Sequence, residues 1–202
     1  VLKAVREQIH AGSDVIKLMA TGGVMTPGVN PEDAHYTEEE LRVGVDEGHR
    51  FHRTCASHAQ GAAGILNAVR AGMDSIEHGI FMTQECLEAM LEKGTYLVPT
   101  LAAVNNIYIN RDNGIPDFIV EKTIRVRERH HQSIKMFYEA GGKIAMGTDA
   151  GTPFNVHGDN SQELQFMVDL GISNSDALSF STADAADLMG LADRGQISEG
   201  YI

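Results

Sequence analysis

Short apolar runs of strand length alternate along this chain with longer segments of helical periodicity. The apolar runs span residues 14–20, 54–59, 75–78, 96–101 and 143–149. Each run is bounded by Gly, Asn, Asp or Thr, as is typical of buried strands. Strands that alternate with helices in this way predict an α/β fold with a parallel sheet and crossover helices.

Capping and stop signals delimit the predicted helices. Thr37 and Glu40 have the spacing of a capping box, and Gly72 and Gly94 stand where helices should end. One predicted helix begins after Thr37, and the others span residues 61–71, 83–93, 117–140, 161–169 and 173–189. The remaining stretches after strands are predicted to be loops, at residues 21–36, 102–116 and 150–160. In parallel α/β folds, loops after strands form the ligand-binding face.

Five predicted strands leave two architectures open. A closed (β/α)8 TIM-type barrel needs eight strands and typically ~250 residues, whereas this chain has 202 residues. The chain is therefore either an open sheet or the later part of a barrel, about strands 4 to 8. It begins with Val1 inside a helical pattern, so we expect a piece of a longer protein, with any targeting segment lying outside it.

Composition excludes several functional classes. With 16 Lys and Arg against 28 Asp and Glu, the net charge is −12, which disfavours binding to nucleic acid. The basic segment 125–131 lies in a helical pattern and is interpreted as a solvated face. No apolar run approaches the ~18 residues of a membrane span, and two cysteines do not make a disulfide framework.

Four residues with metal-binding or acid–base chemistry lie in or at the ends of four predicted strands. They are Lys17, His58, His78 and Asp149. Taken singly, each histidine could be bonded to a backbone carbonyl, and Asp149 could form a turn. A lysine inside a buried strand is costly unless it is paired or modified. Since the ends of barrel strands converge, the four together favour one shared site.

The segments VIKLMATGG, SHAQG, SIEHG and GTDAGTP resemble the metal-site strands of the amidohydrolase superfamily. The likeness covers essentially the whole chain and is greatest to the imidazolonepropionase-related branch with Xaa-Pro dipeptidases and carboxypeptidases. It implies that residues 1–202 are a partial (β/α)8 barrel domain, with the family's flanking β-sandwich absent. It also implies two divalent metal ions, with zinc expected. Carboxylated Lys17 would bridge them, His58 and His78 would bind one ion, and catalytic Asp149 would bind the other.

Two departures from the family pattern stand out. The His-x-His pair of the first family strand does not occur. The remaining paired or near-paired histidines are interpreted as surface residues, namely His49, His52, His130 and His131. Gln60 stands where many relatives carry His or Tyr, which puts the usual substrate specificity in doubt.

Loop residues near these strand ends are candidates for substrate contact. Gly22 and Gly23 would let backbone amides approach a ligand, although a plain turn explains them equally well. Gln60, Tyr108 with Arg111, and His157 are the other candidates.

The resulting functional hypothesis is metal-dependent hydrolysis of an amide bond by a metal-bridging hydroxide. A dipeptide or N-acyl amino acid is the expected substrate, and neither nucleic acid nor membrane is an expected partner. Two alternatives stay open, namely ring opening of a cyclic amide and a non-catalytic truncated piece. Without the first-strand histidines, we expect the 202 residues alone to be inactive. The sequence is compatible with a homo-oligomer.

Overall fold

A computed structural model describes all residues from Val1 to Ile202. The fold is α/β, with four strands: β1 Val15–Met19, β2 Thr54–Ala59, β3 Ser75–His78 and β4 Tyr96–Val98. The helices are α1 Leu2–His10, α2 Glu38–Arg50, α3 Ala62–Ala71, α4 Gln84–Lys93, α5 Leu101–Ile109, α6 Asp117–Glu139, α7 Ser161–Asp169, α8 Asn174–Ser181 and α9 Ala183–Leu188. None of these helices is long and apolar enough to cross a membrane.

The sheet is parallel and has the order β1-β2-β3-β4. Its register pairs Met19 with His58 and Ala59 with His78, so the carboxyl ends of the first three strands lie side by side. The predicted fifth strand is reduced to a single parallel bridge between Leu97 and Ile144. On the side away from β4, the Met146 amide donates to the carbonyl of Phe180 near the end of α8.

Helix signals in the sequence are largely confirmed. Thr37 and Glu40 form the predicted capping box at α2, and Gly72 and Gly94 end α3 and α4 with positive φ. Two expectations were wrong. The predicted loop 102–116 contains most of α5, and the single helix predicted over 173–189 is broken at Thr182 into α8 and α9.

One face of the sheet packs against helices α1 to α3, and the other carries the chemistry. Ile16, Cys55 and Ile76 point to the helices and are almost fully buried. Lys17 lies on the opposite face and is exposed, which corrects the expectation of a lysine inside a buried strand. Lys17 belongs to β1, the edge strand of the sheet, and none of the helices α1 to α3 packs on its face.

Candidate metal centre

The four chemistry-bearing residues predicted from the sequence come together. Lys17, His58, His78 and Asp149 all line one cavity of about 220 Å3 at the carboxyl ends of the strands. The rings of His58 and His78 meet edge to face, with their centroids 4.6 Å apart. Strand alternation puts Lys17 and His58 on the same face of the sheet.

His58 uses one ring nitrogen for a backbone contact. Its Nε2 lies 3.0 Å from the carbonyl oxygen of Gly22, and since a carbonyl only accepts, Nε2 carries the hydrogen. The ring is neutral because burial lowers the pKa of His58, so Nδ1 keeps its lone pair. Nδ1 has no hydrogen-bond partner in the protein, which leaves it available to a ligand.

His78 is oriented by a relay of hydrogen bonds. The Thr100 hydroxyl donates to the Pro99 carbonyl at 2.6 Å, so its oxygen accepts from His78 Nδ1, also at 2.6 Å. Burial is the main cause that holds the pKa of His78 well below its usual value, and the nearby His58 adds to it. His78 is therefore neutral, with the lone pair on Nε2. A histidine whose other nitrogen is bonded in this way is typical of metal ligands.

Three residues of this region have backbones in the left-handed region, where non-glycine residues are uncommon. They are His78 with φ 74°, Thr100 with φ 55° and Asp149 with φ 54°. Strand alternation alone would turn His78 to the same side as the helix-facing Ile76, yet His78 lines the cavity with His58. Backbone strain of this kind tends to cluster at functional sites, because there the surrounding structure fixes a side-chain direction.

Comparison with known proteins decides the family. The model of the amidohydrolase family matches residues 1–202, which is the whole chain. The chain belongs to the amidohydrolase family. Ochratoxinase from Aspergillus niger is 36% identical to this amidohydrolase chain over 204 residues, a match that covers 100% of the chain and 42% of the relative.

Solved structures agree with this assignment. A crystal structure of a Xaa-Pro dipeptidase with bound methionine in the active site has a TM-score of 0.91 and 35% identity, covering 100% of this chain and 50% of that one. A prolidase complexed with N-methylphosphonate-L-proline has a TM-score of 0.90 and 30% identity. That match covers 100% of this chain and 49% of the prolidase chain. The chain thus spans about half the length of its relatives. The predicted fold class, part of a TIM-type barrel, is confirmed.

The predicted substrate residues of this amidohydrolase chain differ in their position relative to the cavity. Gly23 and Gln60 line the cavity. Gly22 borders it through the carbonyl that binds His58, and a Cβ there would lie 2.2 Å from the Val29 side chain. Tyr108 and His157 do not line the cavity.

Tyr108 and His157 have surroundings of their own. The Tyr108 ring is flanked by the guanidinium groups of Arg111 and Arg127, at 4.9 and 4.4 Å from its centroid. His157 is exposed in the loop after Asp149. Their substrate roles, like those of the other candidates, remain predictions.

One histidine interpreted as a surface residue lies behind the site. His130 is fully buried, and its Nε2 donates to the carbonyl of Pro99 at 2.8 Å, the same oxygen that Thr100 contacts. Burial lowers its pKa to about 4. His130 falls in the buried stripe of α6 with Thr123, Val126 and Phe137, a helical spacing that was visible in the sequence. His49 and His52 are exposed, as predicted, and His131 is half-buried.

Two further features were missed because they depend on contacts distant in sequence. Helix α5 forms an apolar wall of the cavity with Ala103, Val104 and Ile107. Glu163 in α7 is fully buried, and its two carboxylate oxygens accept from the amides of Leu101 and Ala102, at 2.7 and 2.6 Å. This carboxylate therefore caps α5 from another helix, and burial raises its pKa to about 8.

Proposed function

We propose that this chain carries metal-binding and catalytic residues of an enzyme that hydrolyses an amide bond in a small substrate. The observation that carries the proposal is the pair His58 and His78. Each ring is neutral, has one nitrogen held by a protein oxygen and has the other nitrogen free, in a cavity shared with Lys17 and Asp149. Membership of the amidohydrolase family supports the same reaction class.

The donor set suits divalent transition metals. Imidazole nitrogen and carboxylate oxygen both bind zinc, and the set would also accept manganese, cobalt or iron. In this proposal, His58 Nδ1, His78 Nε2, Asp149 and a carbamate formed on Lys17 would hold the ions. Such ions, when bound, lower the pKa of water to near neutrality and polarise a scissile carbonyl.

Asp149 is the residue to which we assign proton transfer. Its carboxylate lines the cavity beside the histidines and can accept a proton from the attacking water. The same oxygen would then pass the proton to the leaving amine. Its left-handed backbone, with φ 54°, is braced by Asn155, whose side-chain amide donates to the carbonyls of Thr148 and Asp149 at 2.6 and 3.1 Å.

The cavity favours an amide of an amino acid with an apolar group. One side is polar, with Lys17, Gln60 and Asp149, and the other is the apolar wall of α5. Among relatives, one structure is a Xaa-Pro dipeptidase with bound methionine and another is a prolidase complexed with N-methylphosphonate-L-proline. A dipeptide or N-acyl amino acid with an apolar residue is therefore the proposed substrate, rather than a nucleic acid.

Replacing Asp149 with Asn in the complete protein tests the proposal. We expect kcat on an apolar dipeptide to fall by about 10²–10⁴-fold, the usual contribution of a general acid–base group. Asp159→Asn is the matched control, because this carboxylate is exposed in the same loop and should leave kcat unchanged. Near-normal turnover by Asp149→Asn, with the fold intact, would reject the assigned role. Turnover of a cyclic amide but no dipeptide would reject the substrate class.

A further inference from the structure

A second group of metal-ligating side chains lies at the opposite end of the sheet. His49 belongs to the last turn of α2, Cys55 is the second residue of β2, and Asp74 directly precedes β3. Their ligand atoms, one nitrogen, one sulfur and one oxygen, all lie within 4.8 Å of one another. These residues come from the amino-terminal ends of the strands, whereas Lys17, His58 and His78 line the cavity at the carboxyl ends.

The backbone holds two of these three residues in register. The Asp74 amide donates to the Cys55 carbonyl at 2.9 Å, and the Cys55 amide donates to Asp74 Oδ2 at 2.7 Å. The third residue is already in contact, since His49 Nε2 lies 2.8 Å from the same Oδ2. The three side chains are therefore brought together before any ligand arrives, which lowers the cost of ordering them.

The thiol of Cys55 packs against a glycine of α2. A Cβ added to Gly48 would lie 2.5 Å from Cys55 Sγ, so the absence of a side chain at Gly48 makes room for the sulfur. The sulfur has only weak contacts of its own, with the carbonyls of Val45 and Arg53 at 3.9 and 3.6 Å. The sulfur therefore lies beside His49 and Asp74, and binding a cation would not break a strong hydrogen bond of the thiol.

We propose that His49 Nε2, Cys55 Sγ and Asp74 Oδ2 form a second cation site, suited to Zn2+ or Cd2+ and separate from the candidate metal centre. Thiolate, imidazole and carboxylate are standard zinc donors, and metal–ligand distances of ~2.0–2.3 Å require only a modest rearrangement of the three atoms. One thiolate and one carboxylate balance a divalent charge. His49 and Asp74 are 43% and 36% exposed, which leaves an open side for a water molecule as fourth ligand.

The Cys55 thiol must lose its proton before it can bind a cation. Burial, with a smaller contribution from the Asp74 charge, raises the pKa of Cys55 to about 12. Without a cation, Cys55 is a protonated and unreactive thiol, whereas a bound cation deprotonates a coordinating thiol outright. Binding would convert Cys55 to a thiolate and release its proton to solvent. It would also require the His49 hydrogen to move from Nε2 to Nδ1, so that the Nε2 lone pair replaces the present bond to Asp74.

Cadmium titration of the metal-free chain tests this site directly. Bound Cd2+ gives an ultraviolet charge-transfer absorption only when it contacts a thiolate, and the candidate metal centre contains no cysteine. We expect one Cd2+ per chain to produce the band. Cys55→Ser should abolish it, and Cys86→Ser, the matched control at the other buried free cysteine, should keep it.

A second variant guards against loss of the fold in Cys55→Ser. His49 is exposed, so His49→Ala should fold normally and weaken Cd2+ binding at least ~10-fold, while the exposed His10→Ala should bind as the unmodified chain does. No band in the unmodified chain, a band that survives in Cys55→Ser, or unchanged affinity in His49→Ala would each overturn the proposal. None of these outcomes bears on amide hydrolysis, so the two proposals can fail separately.

Discussion

Glu163 gives the sharpest quantitative prediction from the structure. Its carboxylate is fully buried and accepts from two successive amides at the start of α5, the helix that walls the cavity. Glu163→Gln keeps the volume but removes the titrating proton and one of the two acceptors. The lost acceptor should lower the free energy of unfolding by about 1–3 kcal/mol. The lost titration should change how stability depends on pH.

The sign of the pH effect follows from the raised pKa. Burial takes the pKa of Glu163 from 4.5 in the unfolded chain to about 8 in the folded chain. Between these values the folded state holds a proton that the unfolded state has lost, so stability falls as pH rises. From pH 6.5 to the folded pKa is about 1.5 pH units, and at about 1.4 kcal/mol per unit the loss is about 2 kcal/mol.

Above pH 6.5, the effect of Glu163 on stability can be distinguished from that of the buried histidines. The pKa values of His58, His78 and His130 are lowered from 6.5, so their contribution to stability is lost as pH falls below that value. Above it they contribute little slope. Subtracting the unfolding curve of Glu163→Gln from that of the unmodified chain also cancels every other titrating group.

Urea unfolding at several pH values between 6.5 and 9 is the assay. We expect the stability difference between the unmodified chain and Glu163→Gln to shrink by about 2 kcal/mol across that range. The exposed Glu139→Gln should show no such change. A constant difference would refute the reasoning, because Glu163 would then titrate alike in the folded and unfolded chains.

Two smaller predictions concern side chains outside the cavity. His130→Ala should lower the free energy of unfolding by about 2–4 kcal/mol, because it leaves a cavity and removes a donor to Pro99, whereas exposed His157→Ala should change it by less than about 0.5 kcal/mol. Thr37→Ala should cost about 1 kcal/mol through loss of the α2 cap, and Thr37→Ser should retain most of that stability. The urea unfolding midpoints of each variant and its control measure these stability differences. Equal midpoints for a variant and its control would contradict the prediction for that variant.

Local patterns in the sequence predicted the elements that depend on local physics. The first four apolar runs correspond to β1 to β4, the capping box marks the start of α2, and the glycine stops mark the ends of α3 and α4. They also placed His58 and His78 at adjacent strand ends, because parallel strands align their carboxyl edges. Which ring nitrogen of each histidine is free depends on Gly22 and Thr100, and so required the structure.

The errors have a common physical origin in contacts between distant residues. The exposure of Lys17 depends on what packs on its face of the sheet, and the capping of α5 depends on Glu163, about 60 residues further along. His130 is a different case, since its place in the buried stripe of α6 was readable. Its basic neighbours Arg127 and Arg129 suggested a solvated face instead.

Metal content measured with and without the two histidines tests the central claim most directly. The comparison uses the complete protein with Cys55→Ser, which removes the second proposed site, purified without chelator, and the same protein with His58→Ala and His78→Ala added. The account predicts at least one transition-metal ion per chain in the first protein and a loss of about one ion in the second. No metal in the first protein, or equal metal in both, would contradict the assignment of His58 and His78 as metal ligands.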